Sequence, residues 1–352
     1  MSPVHLLPMS PVYTPFAKGG AAEGDFAWLN TEGLPMKKYC DLKGQAVSAV
    51  ESQLQDQSLR LHSRMATIRH TVAILSGKGG VGKSTLTSNL AAILAEGGAQ
   101  VAILDADLNG PAIAKMLGVR EASLRFGEDG VTPPEGLLGI KVLSMDHLLP
   151  GDETPLRWKA PVQEGNFVWR ASADAAALRE FLSDTCWGPL DFLLIDLPSG
   201  TETLSILAGL LPKMAVAVAV TIPTEISQRT VMKSITLAAE LWGAPTVGVI
   251  ENMAAYRCAQ CGHEEPLFHG LDSAALARAM GVSFLGRVPF DPRMAAASDR
   301  GVPFVLQEPG SPCAMALWAV GAALRSLVPK EGQDSQPAQE SVERGEEGRG
   351  GE

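Results

Sequence analysis

The residues of this chain best suited to chemistry lie in segment 76–85, which reads SGKGGVGKST. Its glycines leave backbone N–H groups free to surround phosphate oxygens, and a helix that begins directly afterwards adds the positive end of its dipole. Lys83 is placed to neutralise the β and γ phosphates, and the Ser84 hydroxyl to bind Mg²⁺. The residues predicted to contact a nucleotide are Gly77, Gly79, Gly80, Val81, Gly82, Lys83, Ser84 and Thr85.

The same loop carries a second lysine, Lys78. Folding does not require a base at this position, because a glycine-rich loop tolerates many residue types there. A merely solvated side chain is one interpretation. The other comes from a resemblance: the two-lysine loop is similar to that of the ParA, MinD and nitrogenase iron protein group, whose extra lysine reaches across a dimer to the partner's nucleotide. We therefore predict catalytic roles for Lys78 and Lys83.

Aspartates end two of the apolar stretches. Asp105 and Asp107 follow one stretch, and Asp196 follows another. Ligands of α/β folds bind at the carboxyl ends of the strands, where carboxylates can coordinate Mg²⁺ or orient water. We predict that Asp105 and Asp196 bind Mg²⁺ together with Ser84, and that Asp107 orients the attacking water. The alternatives are helix-capping aspartates at 105 and 107 and a plain strand-ending aspartate at 196.

Cys258 and Cys261 form a Cys-x-x-Cys pair that can point two thiols at one soft metal centre. Such centres normally need four thiolates, and the chain has no second pair. Two copies of the chain could therefore hold one [4Fe-4S] cluster, or one zinc ion, between them. A local redox disulfide and two unrelated surface thiols stay open as alternatives, whereas His263 is expected to be solvated. The cysteines expected to be isolated are Cys40, Cys186 and Cys313.

Strands alternating with helices must position these groups. Apolar stretches recur along the chain between segments of helical periodicity, a rhythm typical of a doubly wound, mostly parallel sheet with helices on both faces. We therefore predict an α/β fold. The predicted strands are Thr71–Leu75, Gln100–Leu104, Ile140–Leu143, Phe192–Ile195, Met214–Thr221, Thr246–Ile250 and Ser283–Val288.

The domain organisation follows from the same patterns. Residues 1–69 are interpreted as an N-terminal extension, partly disordered or helical, in which Gly44–Arg64 has the pattern of an amphipathic helix. Residues 70–329 form one nucleotide-binding domain that carries the cysteine pair. The acidic tail 330–352 has no apolar periodicity and is expected to be disordered.

Composition limits the classes of partner. The net charge of −10 disfavours a nucleic-acid surface, which needs clustered lysine and arginine to meet phosphates. No apolar run approaches the roughly 18 residues that a membrane span requires. Five cysteines are an odd number for a secreted disulfide framework, which favours a reducing cytoplasm. We expect no nucleic-acid partner and no membrane span.

These motifs together identify a family. Residues 71–327 resemble the Mrp/ApbC-type iron-sulfur carrier P-loop ATPases, which belong to the MinD/ParA-like superfamily with a deviant Walker A loop. The segments that carry the resemblance are SGKGGVGKST, DADLNGPAIAKMLG, LDFLLIDLPSGT, ENM before the cysteine pair, and GRVPFDPRMAAASDRGVPFV.

The resemblance implies an ATPase that hydrolyses ATP slowly, forms a homodimer and carries a [4Fe-4S] cluster, bridging its two subunits, to apo iron-sulfur proteins. It also implies that Asn252 hydrogen-bonds the adenine edge and that Pro289 flanks the base, although an ordinary turn asparagine is an alternative. Gly200, which follows the strand-ending Asp196 as a glycine switch, is expected to sense the γ phosphate through its N–H.

Two departures from the family pattern affect these expectations. The family's double proline before Gly200 is Pro198-Ser199 in this chain, which alters the switch and the expected hydrolysis rate. Segment 155–170 reads as an insertion that a specific partner could use. Two other functions also stay open: a MinD/ParA-like positioning ATPase without a cluster, and an ATP-using regulator whose zinc only stabilises a dimer.

Overall fold

The computed structural model describes residues 45–149, 151, 166–258, 260–270 and 272–329. The expected acidic tail, Cys40 and most of the expected insertion at 155–170 lie outside these residues. Among the helices that are described, none has the length and apolarity needed to cross a bilayer.

A parallel sheet forms the centre of the chain, and its strand order is β10-β8-β7-β1-β6-β2-β5. The parallel strands are β1 (Ile68–Ser76), β2 (Val101–Asp105), β5 (Lys141–Leu143), β6 (Leu190–Asp196), β7 (Val216–Thr221), β8 (Val247–Arg257) and β10 (Ser283–Phe290). Each of the seven predicted strands is one of them. Three short strands were not predicted: β3 (Arg125–Gly127) and β4 (Gly130–Thr132), which form a hairpin, and β9 (Glu264–Pro266), which pairs antiparallel with β8.

Two strand boundaries differ from the predicted ones. β1 begins at Ile68, which pairs with Leu190, so the expected boundary between residues 69 and 70 falls inside a strand. β8 continues past Ile250 to Arg257, because its last residues pair with β9 and β10. Strand β1 therefore starts earlier than the apolar pattern indicated, and β8 leads directly to the cysteine pair.

Helices cover both faces of the sheet. On one face lie α2 (Lys83–Glu96), α3 (Ile113–Met116), α8 (Arg293–Asp299), α9 (Phe304–Gln307) and α10 (Pro312–Leu327). On the other lie α1 (Gln45–Met65), α4 (Asn166–Asp184), α5 (Glu202–Leu210), α6 (Glu225–Trp242) and α7 (Ser273–Ala279). This arrangement confirms the predicted doubly wound α/β fold.

Strand β7 shows how each face obtains its own core. Val216, Val218 and Val220 pack into the core shared with α2 and α10, whereas Ala217 and Ala219 pack into the core shared with α6. All six residues of β7 are buried, because successive side chains of a strand point to opposite faces and both faces are covered. The alanine face leaves room for α6 to lie close to the sheet.

Helix α1 packs against α4 and belongs to the folded domain. Leu61 of α1 is buried in the second core, and Arg60 forms an ion pair with Asp184 at the end of α4, 2.9 Å between Nε and Oδ1. Beside this pair lies Glu180, which is 2% exposed. Burial raises the pKa of Glu180 to about 9, and the charge of Asp184 adds to the increase while Arg60 opposes it.

The pKa of Glu180 predicts how stability depends on pH. Because the pKa in the folded chain lies above its usual value of 4.5, folding binds a proton, and stability falls as pH rises from about 4.5 to about 9. The glutamine side chain of Glu180→Gln does not titrate in this pH range. The variant should therefore become more stable than the natural chain as pH rises, by at most about 1.4 kcal/mol per pH unit.

Urea unfolding at pH 5.5 and pH 8.5 measures this difference. Glu225→Gln is the matched control, because Glu225 is exposed in an ion pair with Arg229 on the surface of α6. It should change the free energy of unfolding by less than about 1 kcal/mol at either pH. An equal effect of Glu180→Gln at both pH values would contradict the prediction.

Candidate functional site

The phosphate loop joins β1 to α2 at the carboxyl edge of the sheet. Gly80 (φ 78°) and Gly82 (φ 85°) adopt the left-handed conformation, which turns the chain into the helix that starts at Lys83. Gly82 caps this helix without any side-chain hydrogen bond to the first N–H groups. A helix start left in this state is suited to bind an anion.

The loop glycines serve different purposes. A Cβ on Gly77 would lie 2.3 Å from the carbonyl carbon of Thr230 and the nitrogen of Val231, so only glycine lets α6 approach the loop this closely. At Gly79 a Cβ would meet nothing within 4 Å. Gly77 is thus required by packing, whereas Gly79 lies on the open side of the loop.

The side chains of Lys83, Ser84 and Asp196 meet at one point, while their roles toward phosphate and Mg²⁺ stay predictions. Lys83 Nζ lies 2.6 Å from Asp196 Oδ2, with side chains 8% and 0% exposed. The Ser84 hydroxyl donates to the same oxygen at 2.6 Å, and the Thr87 hydroxyl donates to Oδ1 at 2.7 Å. Thr87 was not predicted, although its place almost one helical turn after Ser84 is a signal that could have identified it.

The side chain of Asp105 is hydrogen-bonded to the segment that follows β2 and to the residue that follows β5. Its Oδ2 accepts hydrogen bonds from the N–H groups of Ala112 and Ile113 and from the Ser144 hydroxyl, at 3.0, 3.1 and 3.1 Å. Burial and the charge of Asp196 raise its pKa to about 7, which the two N–H groups oppose. Asp105 pairs with Asp196 across neighbouring strands, but its role as a metal ligand stays a prediction.

Asp107 lies at the rim of the same site. Its Oδ1 accepts the N–H of Gly110 at 3.2 Å. Partial burial raises its pKa, and the charge of Lys83 opposes this. Asp107 is therefore near Lys83, but no contact tests its assignment to the attacking water.

The switch residue Gly200 (φ 103°) donates its N–H to the Ser76 carbonyl at 3.0 Å. This hydrogen bond must break before the Gly200 N–H can contact a phosphate.

Asn252 and Pro289 lie side by side on β8 and β10, close to the phosphate loop. Val288 pairs with Asn252, and the buried Asn252 amide donates to the Val81 carbonyl at 2.9 Å. The Pro289 carbonyl accepts a hydrogen bond from the Cys313 thiol at 3.3 Å. The fold thus brings both residues expected around the base to one place, while their contact with adenine stays a prediction.

The cysteine pair occupies the turn between β8 and β9. The Cys258 N–H donates to the His263 carbonyl at 2.8 Å, and the Gly262 N–H donates to the Cys258 carbonyl at 2.9 Å. The N–H groups of Cys261 and Gln260 and the Cys261 thiol donate hydrogen bonds that lower the pKa of Cys258. The turn therefore favours a thiolate at Cys258, the form that binds metals.

Within the described part of the chain, no further ligand joins the two thiols. The described residues contain no group of three or more His, Cys, Asp or Glu side chains able to hold a metal ion. Cys186 and Cys313 lie elsewhere, and burial raises the pKa of Cys313 to about 12. The structure therefore leaves the pair as two neighbouring thiols, and a cluster shared between two chains stays a prediction.

Comparison with known proteins identifies the family. The model of the ParA family, described as NUBPL iron-transfer P-loop NTPase, matches residues 67–324. The chain belongs to this family. Membership in the NUBPL family confirms the resemblance to iron-sulfur carrier ATPases that the motifs indicated, and it makes the chain a P-loop NTPase.

Relatives of this NUBPL family member agree with the assignment. An iron-sulfur cluster carrier protein of Saccharolobus solfataricus is 41% identical over 289 residues, which are 82% of this chain and 92% of that protein. One from Methanocaldococcus jannaschii is 44% identical over 255 residues, 72% and 83% of the two chains. A nucleotide-binding protein of Archaeoglobus fulgidus, solved with ADP, is 33% identical over 73% of this chain and 95% of its own, with a TM-score of 0.59.

The buried ion pair at the phosphate site predicts the effect of replacing Asp196. Asp196→Asn leaves the Lys83 ammonium buried without a counter-charge, which should lower the free energy of unfolding by about 3–5 kcal/mol. It should also reduce ATP hydrolysis by roughly 100-fold or more, because the carboxylate predicted to bind Mg²⁺ is lost. Urea unfolding and phosphate release measure the two effects.

Asp191→Asn provides a control on the same strand. Asp191 forms an exposed ion pair with Arg69, and its replacement should cost less than about 1 kcal/mol and leave hydrolysis unchanged. If the two variants proved equally stable and equally active, the importance assigned to the buried pair would be wrong.

Proposed function

We propose that this chain is an ATP-dependent carrier of a [4Fe-4S] cluster, which a homodimer holds and delivers to apo iron-sulfur proteins in the cytoplasm. The observation that carries the proposal is β8 (Val247–Arg257), which contains Asn252 beside the phosphate loop and leads directly into the Cys258 turn. One strand therefore joins a nucleotide site to a metal-binding pair. The names of the relatives support this function.

The side chains of the nucleotide site can bind ATP by exchanging their present contacts within the chain for contacts with phosphate. The β and γ phosphates would draw Lys83 away from Asp196, and the N–H groups at the start of α2 would bind their oxygens. The oxygens of Ser84 and Asp196, 2.6 Å apart, suit Mg²⁺, which neutralises phosphate charge when bound. Asp107 would orient the attacking water. We expect slow hydrolysis, because Lys83 and Gly200 must first leave Asp196 and Ser76.

The cysteine turn supports a shared cargo. Two thiolates from one chain leave an iron-sulfur cluster or a zinc ion with half of its ligands, so a second copy must supply the rest. Both thiols lie in a surface turn, with Cys261 exposed, which suits a cargo that has to be passed on. A MinD/ParA-like positioning ATPase needs no such thiols.

The cargo can be tested by anaerobic reconstitution. The natural chain should bind about one [4Fe-4S] cluster per dimer, measured as iron, sulfide and visible absorbance. The double variant Cys258→Ala, Cys261→Ala should bind none, because both ligands contributed by each chain are gone. Cys186→Ala is the matched control, since Cys186 is a partly exposed thiol remote from the turn, and it should bind the cluster normally.

Two outcomes count against the cluster. A double variant that still held it would place the cargo elsewhere. Zinc in place of iron, in metal analysis of anaerobically purified protein, would favour the regulator in which zinc only stabilises a dimer.

The dimer can be tested through Lys78. Its ammonium forms no ion pair with any part of the chain that the structure describes, which suits a group that binds a partner's nucleotide. Lys78→Ala should weaken nucleotide-dependent dimerisation at least tenfold, whereas Lys83→Ala should weaken nucleotide binding itself. Sedimentation velocity with a slowly hydrolysed ATP analogue separates these effects, and an undiminished dimer in Lys78→Ala would refute the role assigned to Lys78.

A further inference from the structure

A strained residue separates the nucleotide site from the cysteine turn. Met253 has φ 53°, in the left-handed region that a methionine seldom adopts. The other described non-glycine residue with positive φ is Leu138, which lies in a surface turn. Strain of this kind persists where the surroundings enforce it, and it concentrates at switches and binding sites.

The strain coincides with an irregularity in strand pairing. Val288 pairs with Asn252 and Phe290 with Tyr256, so four residues of β8 advance against two of β10. This β-bulge contains Met253. A bulge bends its strand and changes the direction of the residues beyond it, so the direction of the cysteine turn depends on the backbone at Met253.

The side chain of the strained residue lies beside the phosphate loop. The Met253 Cε lies 3.7 Å from the position that a Cβ on Gly82 would occupy, and Met253 packs against the core that includes Val81. Its neighbour Asn252 donates to the Val81 carbonyl. Val81 and Gly82 directly precede Lys83, so phosphates that reorganise this part of the loop also change the packing around Met253.

Backbone pairing continues along the strand beyond Met253. Ala255 and Arg257 pair with β9, and the Cys258 N–H closes the turn on the His263 carbonyl. The five residue-to-residue steps from Met253 to Cys258 span about 16 Å in an extended strand. A change of backbone conformation at Met253 therefore moves the thiols rather than being absorbed along the way.

We propose that Met253 is a positioning residue that couples occupancy of the phosphate loop to the orientation of the Cys258–Cys261 turn. The proposal rests on the proposed function for its two sites. It adds the element that connects them: nucleotide binding changes the packing between the phosphate loop and Met253, the strained backbone responds, and the turn presents its thiols differently. ATP can thereby control when the cargo is held and when it is released.

The test measures thiol reactivity in the metal-free, full-length chain. Alkylation rates of Cys258 and Cys261 are compared with and without a slowly hydrolysed ATP analogue, by peptide mass spectrometry with Cys186 as internal reference. The nucleotide should change the rates by about fivefold or more in the natural chain. In Met253→Gly, which relieves the strain and removes the contact with the loop, the ratio of rates should approach one.

Two further variants separate coupling from general disturbance. Met253→Leu keeps an apolar side chain on Gly82 and a strained backbone, and it should keep the nucleotide effect. Leu138→Gly relieves the backbone strain at the other left-handed residue, and this variant should also keep the nucleotide effect. Nucleotide binding and dimerisation, measured in the same samples, should be alike in all four chains, which rules out shielding by a partner as the cause.

The proposed coupling is wrong if the nucleotide leaves the alkylation rates of the natural chain unchanged. It is also wrong if Met253→Gly shows the full nucleotide effect. Neither result touches the carrier function, because the measurement uses no iron. Failure to reconstitute a cluster, in turn, leaves the coupling measurable.

Discussion

The contact between Lys83 and Asp196 is the constraint on which the rest of the site depends. A lysine 8% exposed and a carboxylate with no exposed surface can remain charged in the protein interior only as a close, hydrogen-bonded pair. Ser84 and Thr87 complete the carboxylate's hydrogen bonds. Since β6 supplies the acid and α2 supplies the three donors, this interaction fixes the start of the helix over the carboxyl end of the sheet.

Much of the fold could be predicted, because the parallel strands are apolar runs bounded by polar or glycine-rich segments. Where strands depart from that pattern, prediction failed. The start of β1 at Ile68 is followed by Arg69 and His70, which read as a polar segment, although pairing with β6 holds them in a strand. The exposed β9, Glu264–Pro266, has no apolar residue except its proline, and only its pairing with β8 defines it.

The site was predictable where the chemistry is local and unpredictable where it is not. Spacing within one segment revealed the phosphate loop and the cysteine pair. In contrast, the hydrogen bond from Asn252 to Val81 joins residues 171 positions apart, and no local pattern indicates it. The bonds that Ala112, Ile113 and Ser144 donate to Asp105 likewise come from loops that meet only in the folded chain. The sequence thus indicated the candidate reacting groups but not the neighbours that hold them.

The small side chains on the alanine face of β7 affect the packing around the phosphate loop. Ala217 and Ala219 share a core with Val231 of α6, and the backbone of Val231 lies so near Gly77 that the loop has no space for a single methyl group. The small side chains of this layer therefore help to set how closely α6 approaches the phosphate loop. Bulkier residues at these two positions of β7 would push α6 away from the sheet, although they are remote from the phosphate loop. This displacement would loosen the packing of α6 against the loop.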